Sequence, residues 1–326
     1  MALKRDEYEE KRCLLNTTDP ADEQANRERI PIRHVIDKLD RALARGDYAE
    51  GMRLLDYWIR EARALGDEDG ELSLQSETMG LSRRVSDREK GLSSIKRGLE
   101  LLEKSGLLDT VSGATILLNA ATTKKHFGDA AGALPLYRQA ETVYLSRLSP
   151  DDERFGGLYN NYASSLVETG DRKGAANYYE KALSVMEKCG ASGRCGVAVT
   201  SVNLADFYAA GDEPDKDEKI NATLERAWDA LDAPDTPRDG EYAFVASKCA
   251  PAFSYYGWFF AAAELEKNNE RKHKSVGMQL TRDRLQDLNS AVSPQFTCQI
   301  TDLEDEAGNA LGTQVTIILP VVEPEG

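Results

Sequence analysis

Apolar residues recur three and four positions apart through most of this chain, the spacing of one helix face. Tyr162 and Leu166 form one such pair, Leu204 and Phe207 another, and both suit the core between paired helices. These helical stretches are closed again and again by one dipeptide. It appears as Gly46-Asp47, Gly128-Asp129, Gly170-Asp171 and Gly211-Asp212, with Ser86-Asp87 in the equivalent place. The anchors lie 40, 42, 42 and 41 residues apart, and a sixth is expected at Gly257. A glycine after a periodic helix can take the left-handed backbone that ends it, and an aspartate after that glycine can cap the next helix. Five residues past the anchor the side chain is small: Gly51, Gly91, Ala133, Ala175 and Ala262. Nine residues past it the side chain is large: Leu55, Ile95, Tyr137 and Tyr179. The small residue lets two helices approach and the large one fills the neighbouring groove. The fifth unit departs from this, with Lys216 at the small position and a lengthened turn, EPDKDE.

Repeats of this length predict an all-α array of about six helical hairpins, an α-solenoid, over residues 31–270. The first 30 residues are charged and contain NTTDPADEQ, which predicts a flexible lead-in. After about residue 270 the pattern changes. SVGMQLTRDRLQDLN has apolar residues at helical spacing, while FTCQITDL (296–303) and TQVTIIL (313–319) read as strands. The tail, 271–326, is therefore expected as a small helix followed by a β-hairpin.

The repeat resembles the tetratricopeptide repeat family. LYNNYASSLVETGDRKGAANYYEKALSVME (158–187) matches that family's pattern almost throughout. The period near 42 exceeds the usual 34 and is similar to the long-helix subclass found in kinesin light chains and some bacterial peptide-sensing regulators. The resemblance spans roughly Pro31 to Asn269. It implies a right-handed superhelix with the first helix of each hairpin, helix A, on the concave side.

Within helix A, Asn119, Asn161 and Asn203 recur 42 residues apart. Residues three and seven further on share their face. These are Thr122 and His126, Ser164 and Glu168, and Asp206 with Ala210. An asparagine offers a donor and an acceptor together, matching the C=O and N–H of a peptide unit. A column of them can hold an extended backbone. The other reading of these asparagines is a local hydrogen bond across the interhelical turn, or solvation. The expected peptide-binding groove comprises Asn119, Thr122, His126, Asn161, Ser164, Glu168, Asn203 and Asp206. In the second unit the matching position is Glu77 or Thr78, and in the first it is apolar.

Composition narrows the partners. Of 326 residues, 41% are hydrophobic and 30% charged, and the net charge is -15. That balance opposes nucleic-acid binding, which needs a basic footprint, and opposes anionic membrane surfaces. A protein or extended peptide is the expected partner. MALKRDEYEEKR has no apolar segment of a secretory signal, and no run approaches the roughly 20 residues of a membrane helix. A cytoplasmic protein with reduced cysteines (Cys13, Cys189, Cys195, Cys249, Cys298) is expected.

Chemistry-bearing motifs are few. His34, His126 and His273 lack metal-ligand spacing. CGASGRCG (189–196) reads as a loop between repeats, and Asp151-Asp152 and Glu304-Asp305-Glu306 as solvated turns. No G-x-S-x-G elbow occurs. The expectation is a non-enzymatic protein with no cofactor, no catalytic residue and no metal. One further resemblance concerns the tail. HKSVGMQ near His273 and QITDLEDEAGNALGTQVTIILP resemble the end of a sensor histidine kinase ATPase domain. That family holds ATP–Mg with an asparagine-bearing helix and an Asp-x-Gly-x-Gly loop, and neither motif is present. The resemblance therefore implies only a fragment, and the alternative reading makes it the link from a peptide-sensing regulator to a kinase or transcription partner.

Overall fold

The structure, a computed structural model, describes residues 29–267 and, as backbone, 297–304 and 310–318. The described residues fall into two compact units, one up to Tyr242 and one from Ala243. The helix expected within 271–296 lies outside the described residues, as do residues 1–28.

The first unit is built from antiparallel helical hairpins. They pair α1 (Ile32–Ala44) with α2 (Tyr48–Leu65), α3 (Glu68–Val85) with α4 (Arg88–Ser105), α5 (Val111–His126) with α6 (Ala130–Arg147), α7 (Arg154–Glu168) with α8 (Arg172–Lys188), and α9 (Arg194–Ala209) with α10 (Lys216–Asp232). Each second helix also touches the first helix of the next hairpin, and α3, α5, α7 and α9 touch in sequence. These four first helices thus form one row.

The turns follow from the dipeptide. Gly46, Gly128 and Gly170 have φ of 72°, 90° and 87°, a left-handed region open to glycine without steric cost. That geometry returns the next N–H to a carbonyl five residues back. Asp47 bonds Ala42, Asp129 bonds Lys124 and Asp171 bonds Leu166, each at 2.9 Å. The aspartate carboxylate then accepts the N–H three residues on: Glu50, Gly132 and Gly174. Ser86 makes the same turn at φ 57°, and Asp87 caps Lys90. Gly66-Asp67 is a further copy, but it joins one hairpin to the next. The dipeptide alone therefore does not tell an internal turn from a junction. Asp67 also accepts the N–H of Ile30 at 3.0 Å, and Ile30 is buried.

The fifth turn departs from the expectation that Gly211 ends its helix in left-handed backbone. Gly211 is not among the positive-φ residues, Asp212 caps nothing, and α10 starts only at Lys216. The reason is room. A Cβ on Gly211 would lie 2.3 Å from Arg172 Nη2, which crosses over it to Glu213 and to the Phe207 carbonyl. The segment 189–196, expected as a loop, is helical instead. Gly190–Gly193 forms a 3-10 turn, and Cys195 is buried on the first turn of α9. Gly193 permits this because a Cβ there would lie 1.9 Å from the Met186 carbonyl oxygen.

The small positions set the packing. A Cβ on Gly51 would meet Leu81 of α3 at 3.1 Å and Leu39 of α1 at 3.2 Å. One on Gly91 would meet Phe127 at 2.5 Å and Ser82 at 2.8 Å. Each of these second helices is therefore wedged between its own first helix and the next one. The large positions Leu55, Ile95, Tyr137 and Tyr179 are all buried. Across the first two hairpins a buried charge adds a tie. The Glu71 side chain is 2% exposed and accepts from Arg63 of α2 at 2.7 Å and from Arg97 Nη2 of α4 at 2.7 Å. Burial alone would raise its carboxyl, but the Arg97 and Arg63 guanidiniums outweigh burial and hold it below the usual carboxylate range.

In the second unit, most of α11 (Gly240–Tyr255) and the helical residues 259–267 flank a turn at Gly257, φ 82°, and Ala262 is buried. Thr297–Glu304 and Ala310–Ile318 pair antiparallel, with Ile300 opposite Val315 and an irregularity at Leu303/Glu304.

Two predictions follow from these contacts. Ser86→Gly relieves a left-handed backbone carrying a side chain and should stabilise by about 1 kcal/mol in urea unfolding. Destabilisation would show that the turn is not strained. Glu71→Gln should cost roughly 1.5–3 kcal/mol near neutral pH. Because the folded carboxyl lies below its ordinary 4.5, its stabilisation is present above that pH and fades as pH falls through the folded value. The gap between the two proteins should therefore close in acid, and a gap independent of pH would contradict the assignment.

Candidate functional site

Residues 77, 119, 161 and 203, 42 apart in sequence, lie on α3, α5, α7 and α9, so at that spacing the second-unit position is Glu77. Asn119, Asn161 and Asn203 are each half-buried. None of the three amides is idle. Asn119 Nδ2 donates to Ser76 Oγ of α3 at 2.9 Å, across 43 residues. Asn203 Nδ2 donates to Asn160 Oδ1 of α7 at 2.9 Å, also across 43. Asn161 Nδ2 donates within its own helix, to the Gly157 carbonyl at 2.9 Å. Each amide so fixed keeps its oxygen and one N–H without a partner among the described residues. The spacing of 43, one more than the repeat, is the signal that would have found Ser76 and Asn160.

The second row is made of Thr122, Ser164 and Asp206. Thr122 Oγ1 donates to the Leu118 carbonyl at 2.8 Å and accepts from the buried Tyr137 hydroxyl at 3.3 Å. Ser164 stands beside Tyr179 in the same relation. Burial pushes the Tyr179 phenol up to about 12, opposed in part by the Ser164 hydroxyl. Asp206 is exposed. The tyrosines at the large positions thus reach through the hairpin to the polar face, a link the spacing of apolar residues does not reveal. In the third row, Glu168 is exposed and pairs with Lys125 at 3.5 Å, joining α7 to α5. His126 is exposed, with its ring edge-on to Phe127 at 4.9 Å.

Beneath this face runs a chain of rings. Tyr137 stacks on Tyr162 at 5.5 Å, Tyr162 meets Tyr178 at 4.4 Å, Tyr178 meets Tyr159 at 5.5 Å, and Tyr159 stacks on Phe155 at 5.4 Å. Such pairs contribute about 0.5–1.5 kcal/mol each beyond burial. They fix α6, α7 and α8 around the middle asparagine. Among the described residues no group of His, Cys, Asp and Glu is placed to hold a metal ion, and no helix is long and apolar enough to cross a membrane. Cys189, Cys195 and Cys249 are free thiols.

The bond between Asn203 and Asn160 can be measured. Single and double alanine substitutions in a thermodynamic cycle should give a coupling of about 0.5–1.5 kcal/mol. Zero coupling would mean that the amide of Asn203 is not held by α7.

No known family's model matches the chain, and no curated protein matches it. Solved structures with similar coordinates include TPR-like repeats of a putative kinesin light chain from Podosopora anserina, 14% identical, over 63% of this chain and 96% of that one, with a TM-score of 0.45. BtubC (BKLC) from P. vanneervenii is 16% identical over 76% of this chain and 93% of its own, with a TM-score of 0.42. MamA protein is 13% identical over 64% and 94%, with a TM-score of 0.34.

Proposed function

We propose that the chain is a non-enzymatic scaffold of tetratricopeptide kind that binds an extended peptide or protein segment along α5, α7 and α9. The observation behind this reading is the set of half-buried amides at one spacing, each oriented by a hydrogen bond and each retaining an acceptor and a donor. An extended peptide repeats its own donors and acceptors about every 6.6 Å on one side. Fixed amides meet such a ligand at lower entropic cost than freely rotating ones. Because the contacts are to backbone, one groove can accept many side-chain sequences.

Replacing both Asn161 and Asn203 with Ala should weaken capture from a positional-scanning hexapeptide library about tenfold or more, the loss of one or two net hydrogen bonds. Circular dichroism should show unchanged helicity. Equal capture by the variant and the parent would sink the groove reading.

A further inference from the structure

The turn at Gly257 lacks the aspartate that the other hairpin turns carry. Asp47, Asp87, Asp129 and Asp171 each cap a second helix, and Asp212 follows Gly211. At Gly257 the backbone makes the same turn. Its φ is 82°, and the Trp258 N–H donates to the Phe253 carbonyl five residues back at 2.7 Å. The residue in the capping place is Trp258, whose indole donates a hydrogen bond but does not accept one. This turn has therefore given up the carboxylate found at the others.

Aromatic residues take its place. Five of the six residues from Tyr255 to Phe260 are aromatic, in a chain where aromatics make up 7%. No residue from Cys249 to Ala263 is charged, although 30% of the chain is. Phe253 is buried, with the Trp258 ring 5.8 Å away. Tyr255, Phe259 and Phe260 stay outside. They are 82%, 69% and 75% exposed, more than any other large apolar side chain among the described residues. Three such rings at one turn are not the scattered apolar residues of an ordinary surface.

The shape of the turn narrows its partner. The rings sit at the closed end of a helical hairpin, which is convex. Two identical convex tips leave most of each other uncovered, and a folded protein would need a pocket cut for three rings. A fluid lipid boundary takes the tip without matching its shape. The chemistry agrees. Tyrosine and tryptophan set an apolar body in the boundary and a polar end among headgroups. A carboxylate at the same place would be costly to carry there. The net charge of -15 opposes an anionic surface, so the headgroups that fit are zwitterionic.

We propose that residues 255–260 form a lipid-docking tip, with Tyr255, Phe259 and Phe260 seated at the headgroup–acyl boundary of a zwitterionic membrane. The tip uses no residue of α5, α7 or α9, so this proposal and the peptide groove stand or fall separately.

Flotation of the full chain with phosphatidylcholine vesicles tests it. The parent should float with the vesicles. The Phe259→Ser, Phe260→Ser double variant should lower the partition coefficient about tenfold or more, as loss of two buried rings implies. Tyr255→Ser should lower it in the same direction, while Tyr57→Ser, which removes an exposed ring on α2, should leave it unchanged. Circular dichroism should show equal helicity in all, because the replaced rings lie outside the core. Added salt should not weaken an apolar contact, and phosphatidylserine in the vesicles should weaken it. Failure of the parent to float, equal flotation of the double variant, or binding that grows with phosphatidylserine and is lost in salt overturns the proposal. A doubled mass by light scattering without lipid, restored to the single chain by the double variant, also overturns it and assigns the tip to a second copy.

Discussion

The arrangement depends on one close contact, the seat of each second helix between two first helices. Gly51 and Gly91 have no side chain there because Leu39, Leu81, Phe127 and Ser82 already occupy the space. Ala133 and Ala175 are fully buried in the same role. Enlarging such a site forces the helices apart, at a cost of about 1–3 kcal/mol. Because a wedge touches both its own hairpin and the next, this contact sets the spacing of the first helices. It therefore determines whether residues 77, 119, 161 and 203 form a row.

Polar groups refine what the wedge sets. Asp47, Asp87, Asp129 and Asp171 satisfy helix-end N–H groups that would otherwise be bare. The Ser76–Asn119 and Asn160–Asn203 bonds tie successive first helices at the level of the column. The same bonds orient the amides, so a structural tie and a presented donor–acceptor pair coexist in one side chain. Arg83 adds a third tie at the α3–α5 step, donating from Nη1 to Thr123 Oγ1 at 2.7 Å.

The hairpin order was legible because glycine and aspartate have narrow backbone roles. The small and large positions were legible because packing constrains volume. Gly211 misled because a glycine can be kept for space as well as for dihedral freedom, and only the crossing of Arg172 tells which. The turn at 189–196 read as a loop from its glycines, yet Gly193 is there to let a helix start against the Met186 carbonyl. The asparagine column was visible as a spacing. Its partners were not, because Ser76 and Asn160 sit one residue off the repeat.

In the proposed groove the amides of Asn119, Asn161 and Asn203 meet an extended peptide backbone. Side-chain amide resonances of these residues, followed by nuclear magnetic resonance while the best-captured hexapeptide is added, test it most directly. At least two of the three Nδ2 signals should shift together and saturate at one dissociation constant, while Asn221, on α10, stays still. Saturable binding that leaves all three unmoved would contradict it.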